Sequence, residues 1–285
     1  AKAIQIVEVS PRDGLQNEPK IVDTQSKLAL IERTINAGAR RLEVASFVNP
    51  QRVPQMADAE AVVAGLPDRQ DVSYVGLCLN KRGLIRALET RRGTSRGVDE
   101  AGCVMVASDT FGMKNQGQTI RDGIKSCLQM LTLARREGLI PQVTISAAFG
   151  CPFEGEVAPE TILSIAEELL EGDPVEIALA DTIGTGVPGQ VGELFSRLRD
   201  LVPNDIPLRA HFHNTRDTAV ANTYAAHLAG VTVFDASLGG LGGCPFAPRA
   251  TGNIATEELL YFFKRSGIET GCDLDKYIQV NKWFE

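Results

Sequence analysis

Eight times along its 285 residues, this chain alternates a short β-rich run with a longer stretch of helical pattern. The β-rich runs are Ile4–Val9, Arg41–Ala45, Ser73–Leu79, Cys103–Ala107, Gln142–Ala147, Val175–Ala180, Leu208–Phe212 and Val231–Ala236. Between them the spacing predicts helices over 24–37, 54–64, 81–89, 119–137, 159–170, 188–201, 217–229 and 256–265. Early prolines (Pro159, Pro188) and trailing glycines (Gly38, Gly138) punctuate several of these, as cap chemistry prefers. The first helix is expected to open at a capping Thr24. Each βα unit can bury its apolar faces only against its neighbours, and eight of them in this length fit a TIM (β/α)8 barrel. An open doubly wound sheet is the rival, but no G-x-G-x-x-G follows the first strand. No linker or composition break marks a second domain. One barrel domain over residues 1–285 is therefore expected, with 268–285 as a helical extension packed on it.

Composition bounds the partners. Apolar residues make up 44%, enough for a sizeable core. The net charge of −7 without a basic block argues against general affinity for nucleic acid or anionic membrane. No apolar run approaches the roughly 20 residues that span a bilayer. The N-terminal AKAIQIVEVS reads as a strand rather than a signal segment. The six cysteines form no C-x-x-C pair, which suits reduced thiols and a cytoplasmic location. Cys78, Cys103 and Cys127 read as small buried hydrophobes, and Cys151 is ambiguous.

In a barrel, chemistry gathers where strands end. Arg12 and Asp13 follow the first strand, Glu43 lies within the second and Ser46 follows it. Asp181 and Thr182 close the sixth. His211 and His213 end the seventh, and Cys244 and Asn253 follow the eighth. Residues two apart on a strand face the same side, so both histidines would point into the barrel mouth. Closure brings strands seven, eight and one together, adding Asp13 and the amide of Asn253. Two nitrogens and two oxygens suit octahedral Mg²⁺, Mn²⁺ or Co²⁺, and histidine favours keeping Mn²⁺ in view. The competing reading is a pair of hydrogen-bonded core histidines. His227 reads as structural, and Asn214 and Thr215 also read as a helix N-cap. Arg12 is either an ion-pair residue or a donor to an enolate or carboxylate oxygen. Glu43, a charge within an apolar strand, is expected to pair with Arg12. The segment GGLGGCPFAPRATGN is a flexible connector, or a loop that carries Cys244 as an acid or base on closure.

VSPRDGLQNE, SFVNPQRVPQMAD, GCPFEG, ADTIGTGVPG, HFH and GGLGGCPFAPRATGNIATE together resemble the 3-hydroxy-3-methylglutaryl-CoA lyase family, over nearly the whole chain. The resemblance implies a metal-dependent TIM barrel that cleaves its acyl-CoA to acetyl-CoA and acetoacetate by a retro-Claisen reaction. Leucine degradation is the default pathway. It implies Asp13, His211, His213 and Asn253 as ligands of Mg²⁺ or Mn²⁺. Arg12 would stabilise the enolate oxygen and Cys244 would protonate the enolate carbon. Glu43 would orient Arg12, and Asp181 would join the hydrogen-bond network. Arg12, Ser46 and Thr182 are expected to contact substrate. A homodimer or higher homo-oligomer is also implied.

Three features depart from the family. Phe153 stands where lyases of the human type carry a tyrosine, Asn214 and Arg216 alter the run after H-x-H, and residues 80–102 look unlike those lyases. A related 3-hydroxyacyl-CoA such as citramalyl-CoA is therefore a rival substrate, and an added cation at Arg216 could reshape carboxylate recognition. A Claisen-condensing synthase is a poorer match, because such synthases carry further C-terminal domains and lack the G-G-C-P loop. A non-catalytic barrel would be expected to lose a ligand or Arg12, and none is lost. Asn80, Lys81, Arg82 and Asn115 lie near the rim where CoA would pass, and ordinary surface polarity is the favoured reading for them.

Overall fold

The computed structural model describes residues 3–93, 95–243 and 252–285. Eight parallel strands close a barrel in sequence order: β1 Gln5–Glu8, β2 Arg41–Ser46, β3 Ser73–Cys78, β4 Glu100–Val106, β5 Ile140–Ser146, β6 Ile177–Asp181, β7 Leu208–Phe212 and β8 Val233–Ala236. The closing seam pairs Gln5 with Val233 and Glu8 with Ala236. It sets the end of β1 beside β8, with β7 next to it, where His211 pairs with Asp235. This is the TIM barrel that the repeat predicts.

The outer layer consists of α1 Thr24–Asn36, α2 Ala59–Ala64, α3 Lys81–Glu89, α4 Asp109–Gln116, α5 Ile120–Arg136, α6 Pro159–Leu169, α7 Pro188–Leu201, α8 Ala219–Leu228, α9 Thr256–Arg265 and α10 Leu274–Phe284. Most of the apolar faces of these helices and of the strands merge into a main core that includes Leu42, Ile145, Phe195, Phe212 and Phe263. α10 lies against α1 and α9 and buries Tyr277 there. Among the described residues no helix is long and apolar enough to cross a membrane.

Three local readings change. The cap of α1 is Asp23, whose carboxylate accepts from Ser26 N at 2.8 Å, while Thr24 Oγ1 donates to Asp58. The stretch expected as one helix over 54–64 splits into a 3₁₀ turn, Pro54–Met56, and α2. α4 was not expected, because DTFGMKNQ shows no apolar periodicity. Ser108 caps it by accepting from Phe111 N at 3.1 Å. α4 lies beside the barrel mouth and brings Phe111, Asn115 and Gln116 to the cavity there.

Candidate active site

The chain after β1 makes one wide π turn, Ser10–Gly14, that carries Arg12 and Asp13. Gly14 has no room for a Cβ, which would lie 2.8 Å from Ser237 Oγ. The close approach of this turn to the segment after β8 thus depends on a glycine. Arg12 Nε donates to Glu43 Oε1, and Nη1 donates to Gln16 Oε1 at 2.9 Å and pairs with Asp13 Oδ1 at 3.1 Å. Nη2 makes no hydrogen bond with the described residues. Arg12, Asp13, Glu43, Thr182, His211 and His213 all line one cavity of about 230 Å³.

Asp13, His211 and His213 bring ligand atoms within 4.8 Å of one another. His211 Nε2 lies 3.5 Å from Asp13 Oδ2 and 3.2 Å from His213 Nε2. The other ring nitrogen of His211, Nδ1, meets Asp235 Oδ2 at 2.8 Å. An ionised carboxylate only accepts, so this contact places the proton on Nδ1 and leaves the Nε2 lone pair facing the cluster. Two imidazole nitrogens and a carboxylate oxygen thus converge on one spot. Asn253 adds to it: Nδ2 donates to Asp13 Oδ2 at 2.6 Å, and the buried Oδ1 has no partner among the described residues. Sequence reasoning expected that oxygen as a ligand, whereas here the amide nitrogen faces Asp13. The donor set, together with an orphaned amide oxygen on the residue touching Asp13, fits a divalent cation.

Electrostatics agree with the geometry. Burial opposes ionisation of Asp13, but Arg12 and the two imidazoles outweigh it and hold the carboxyl well below its usual range. Burial and then the neighbouring His211 push His213 down to about 4, so its ring is neutral at pH 7. Burial would lower His211 as well, but its hydrogen bond to Asp235 and that residue's charge raise it overall.

The remaining expected residues divide. Thr182 lines the cavity, and its Oγ1 accepts from Ala147 N at 2.8 Å, holding Ala147 at a φ of 56°. Asp181 is buried and does not line the cavity. Its two oxygens accept from Thr185 N at 3.0 Å and Gly186 N at 2.9 Å, so it shapes the loop after β6. Ser46 is buried beside Leu77 in register, and Leu77 lines the cavity in its place. Cys244 lies outside the described residues. Cys151 is buried away from the cavity, its Sγ 3.1 Å from Ser108 Oγ. Cys78, Cys103 and Cys127 are buried, and burial pushes their thiols up.

The variant positions are also placed. Arg216 Nη1 donates to Ile183 O at 3.0 Å and Gly184 O at 3.2 Å, so this cation ties the loop after β7 to the loop after β6. Phe153 meets Phe111 edge-on at 5.9 Å, with Lys114 Nζ 4.3 Å over its ring. Asn214 Oδ1 accepts from Ala219 N at 3.2 Å, but α8 begins five residues later, so Asn214 closes a loop and does not cap the helix directly. Asn80 caps α3 through Gly83 N, and Asn115 is the rim residue that reaches the cavity. His227 packs edge-on against Phe263.

Sequence reasoning missed Gln16, Asp235 and Arg209. Asp235 in VFDA and Arg209 in LRAHF are charges within apolar strands, the signal that singled out Glu43. Alternation also places Arg209 on the same face as His211 and His213.

A model of the HMGL-like family matches residues 3–283. The chain is 41% identical to the (R)-citramalyl-CoA lyase of Chloroflexus aurantiacus, covering 99% of this chain and 90% of that one. It is 39% identical to a hydroxymethylglutaryl-CoA lyase of Bacillus subtilis, covering 100% and 93%. An HMG-CoA lyase structure from Acinetobacter baumannii, solved with coenzyme A and 3-methylmalate, superposes with a TM-score of 0.91 at 38% identity, covering 98% and 89%.

Proposed function

The chain belongs to the HMGL-like family of lyases, and from that premise we propose that it cleaves 3-hydroxy-3-methylglutaryl-CoA to acetyl-CoA and acetoacetate with the help of Mg²⁺ or Mn²⁺. The observation that carries the reading is that Arg12, with Nη2 uncommitted, and the Asp13–His211–His213 cluster line one cavity. Charge that develops on a substrate oxygen there would lie between a cation site and a guanidinium.

Asp13, His211 and His213 would hold the cation, joined by Asn253 through its amide oxygen. When bound, the cation supplies a Lewis acid that lowers the pKa of the substrate hydroxyl. The hydroxyl proton leaves to solvent, and the carbinol carbon becomes a ketone as the adjacent C–C bond breaks. The bonding pair moves onto the thioester as an enolate. Arg12 donates to that enolate oxygen, and Glu43 fixes the guanidinium so that it need not reorganise as charge appears. The Cys244 thiol delivers a proton to the enolate carbon, giving acetyl-CoA. Asp181 holds the loop that presents Thr182 to the substrate. One barrel domain over residues 1–285, assembled as a homodimer or higher homo-oligomer in the cytoplasm, completes the reading. Size-exclusion chromatography with light scattering checks the assembly.

Citramalyl-CoA is the second reading, favoured by the 41% identity to a citramalyl-CoA lyase and by Phe153. It has one methylene fewer between carbinol and carboxylate, and cleavage gives acetyl-CoA and pyruvate. The test offers both thioesters with Mn²⁺ or Mg²⁺ and identifies the oxo acid released. Acetoacetate at the higher kcat/KM is expected. Pyruvate with little acetoacetate would move the assignment to citramalyl-CoA, and turnover that survives EDTA would overturn the cation's role.

A further inference from the structure

Five buried ionisable side chains lie on or next to the barrel strands around and below the cavity floor: Arg41, Glu100, Glu176, Arg209 and Asp235. They form a chain. Arg41 bonds Glu100 Oε1 at 2.7 Å and Glu176 Oε2 at 2.7 Å. Arg209 Nε bonds Glu176 Oε1 at 2.7 Å, and Nη1 bonds Asp235 Oδ2 at 2.6 Å. Its third nitrogen is held by Gln142 Oε1 at 2.7 Å and Thr144 Oγ1 at 3.0 Å. Asp235 Oδ2 is the oxygen that also meets His211 Nδ1.

Fully ionised, these groups hold three negative and two positive charges. A surplus negative charge in a buried place is costly unless something faces it. At the His211 end of the chain, Asp235 shares one oxygen between Arg209 and the imidazole, and its Oδ1 has no partner among the described residues. The surplus therefore faces His211 and the cluster beyond it. Arg209 and His211 share one face of β7 and His213 follows its end, so one short segment carries both histidines and the side chain that fixes one of them.

We infer that Arg209, itself anchored by Glu176, is a positioning residue for the cation site. It fixes Asp235, which in turn holds His211 with Nδ1 protonated and Nε2 turned toward Asp13 and His213. The inference rests on the cation reading of the proposed function.

The test titrates metal-stripped protein with Mn²⁺ by calorimetry, with the spin-resonance signal of free Mn²⁺ as a second readout. Arg209→Gln is expected to weaken Mn²⁺ binding roughly 10-fold, the low end of the range for loss of an outer partner of a metal-binding histidine, because Asp235 itself remains. Arg209→Lys keeps a cation beside Asp235 and is expected to recover most of the affinity. Thermal unfolding in EDTA measures any purely structural role. Wild-type Mn²⁺ affinity in Arg209→Gln, with only the unfolding temperature lowered, would overturn the inference. If Arg209→Gln does not fold, the double variant Arg209→Gln, Glu176→Gln is read in its place, since it removes one charge of each sign. Weaker Mn²⁺ binding there supports the inference and unchanged binding overturns it. A wild-type protein that binds no Mn²⁺ would overturn the cation reading and this inference together.

Discussion

Arg12, on the turn after β1, and Arg41, at the start of β2, belong to one barrel, yet they are used in opposite ways. Arg41 is buried low in the barrel, and every guanidinium nitrogen is bonded: Nε and Nη2 to Glu100, Nη1 and Nη2 to Glu176, and Nη1 also to Gln5. Arg12 stands at the mouth with a side-chain exposure of 13%, bonds Glu43 and Gln16, and leaves Nη2 to the cavity. A saturated arginine can only hold structure. An arginine fixed on one edge and open on the other can recognise a new negative charge without first reorganising. The height of each residue in the barrel, more than its type, separates the two roles.

Arg41→Met should show the largest effect on stability. It leaves Glu100 and Glu176 buried without their shared cation, a change that typically costs about 3–5 kcal/mol. Urea unfolding should show that loss, while kcat of the folded protein at saturating Mn²⁺ stays close to wild type. A variant as stable as the wild type would mean that these ion pairs contribute no net stability. Arg12→Met should do the reverse, lowering kcat by about 10²–10³-fold while lowering the urea midpoint less than Arg41→Met does, because Asp13 and Glu43 are more exposed than Glu100 and Glu176. Near-normal kcat would remove Arg12 from the chemistry and dissolve the contrast.

The cysteines sharpen the same distinction. Cys244→Ser should cut turnover by about 10²-fold with little effect on stability, as loss of a proton donor would. Cys127→Ser, fully buried in α5, should lower stability by about 1–3 kcal/mol and leave turnover alone. Equal effects on turnover would place the reactive thiol elsewhere, and Cys151 would be the next to test.

The smallest effect is a pH slope. Burial pushes Glu257 up to about 7, even though its oxygens accept from Gly239 N. The folded state therefore keeps a proton that the unfolded state releases near pH 4.5. This contribution is fully present below pH 4.5 and fades as the pH rises toward 7. Glu257→Gln should flatten that part of the stability profile, gaining about 1 kcal/mol at pH 8 relative to pH 5 once partial exposure is allowed for. An unchanged slope would mean that Glu257 titrates normally.

Much of the candidate site was legible because strand alternation is local. HFH announces two side chains on one face, and a charge in LEVASF announces Glu43. Ser46 shows the limit of that logic. Its place at a strand end was visible, but the pairing register shifts between Glu43 and Ala45, and Leu77 takes the cavity wall. Asp181 was visible as a polar strand end, but its bonds to the loop backbone were not. Arg216 read as an added cation, and only its carbonyl partners on the loop after β6 reveal that it ties two loops together.

By itself the sequence determined eight βα units, their order and the residue types at each strand end, because periodicities of 2 and 3.6 and cap chemistry act over a few neighbours. Only the closed barrel decided which of those ends meet. Asp13 reaches His211 and Asn253 across nearly the whole length of the chain, and Arg209 reaches Glu176 and Asp235 across two seams. Such contacts follow from closure and register, which bring distant segments within a few ångströms and which no local pattern encodes.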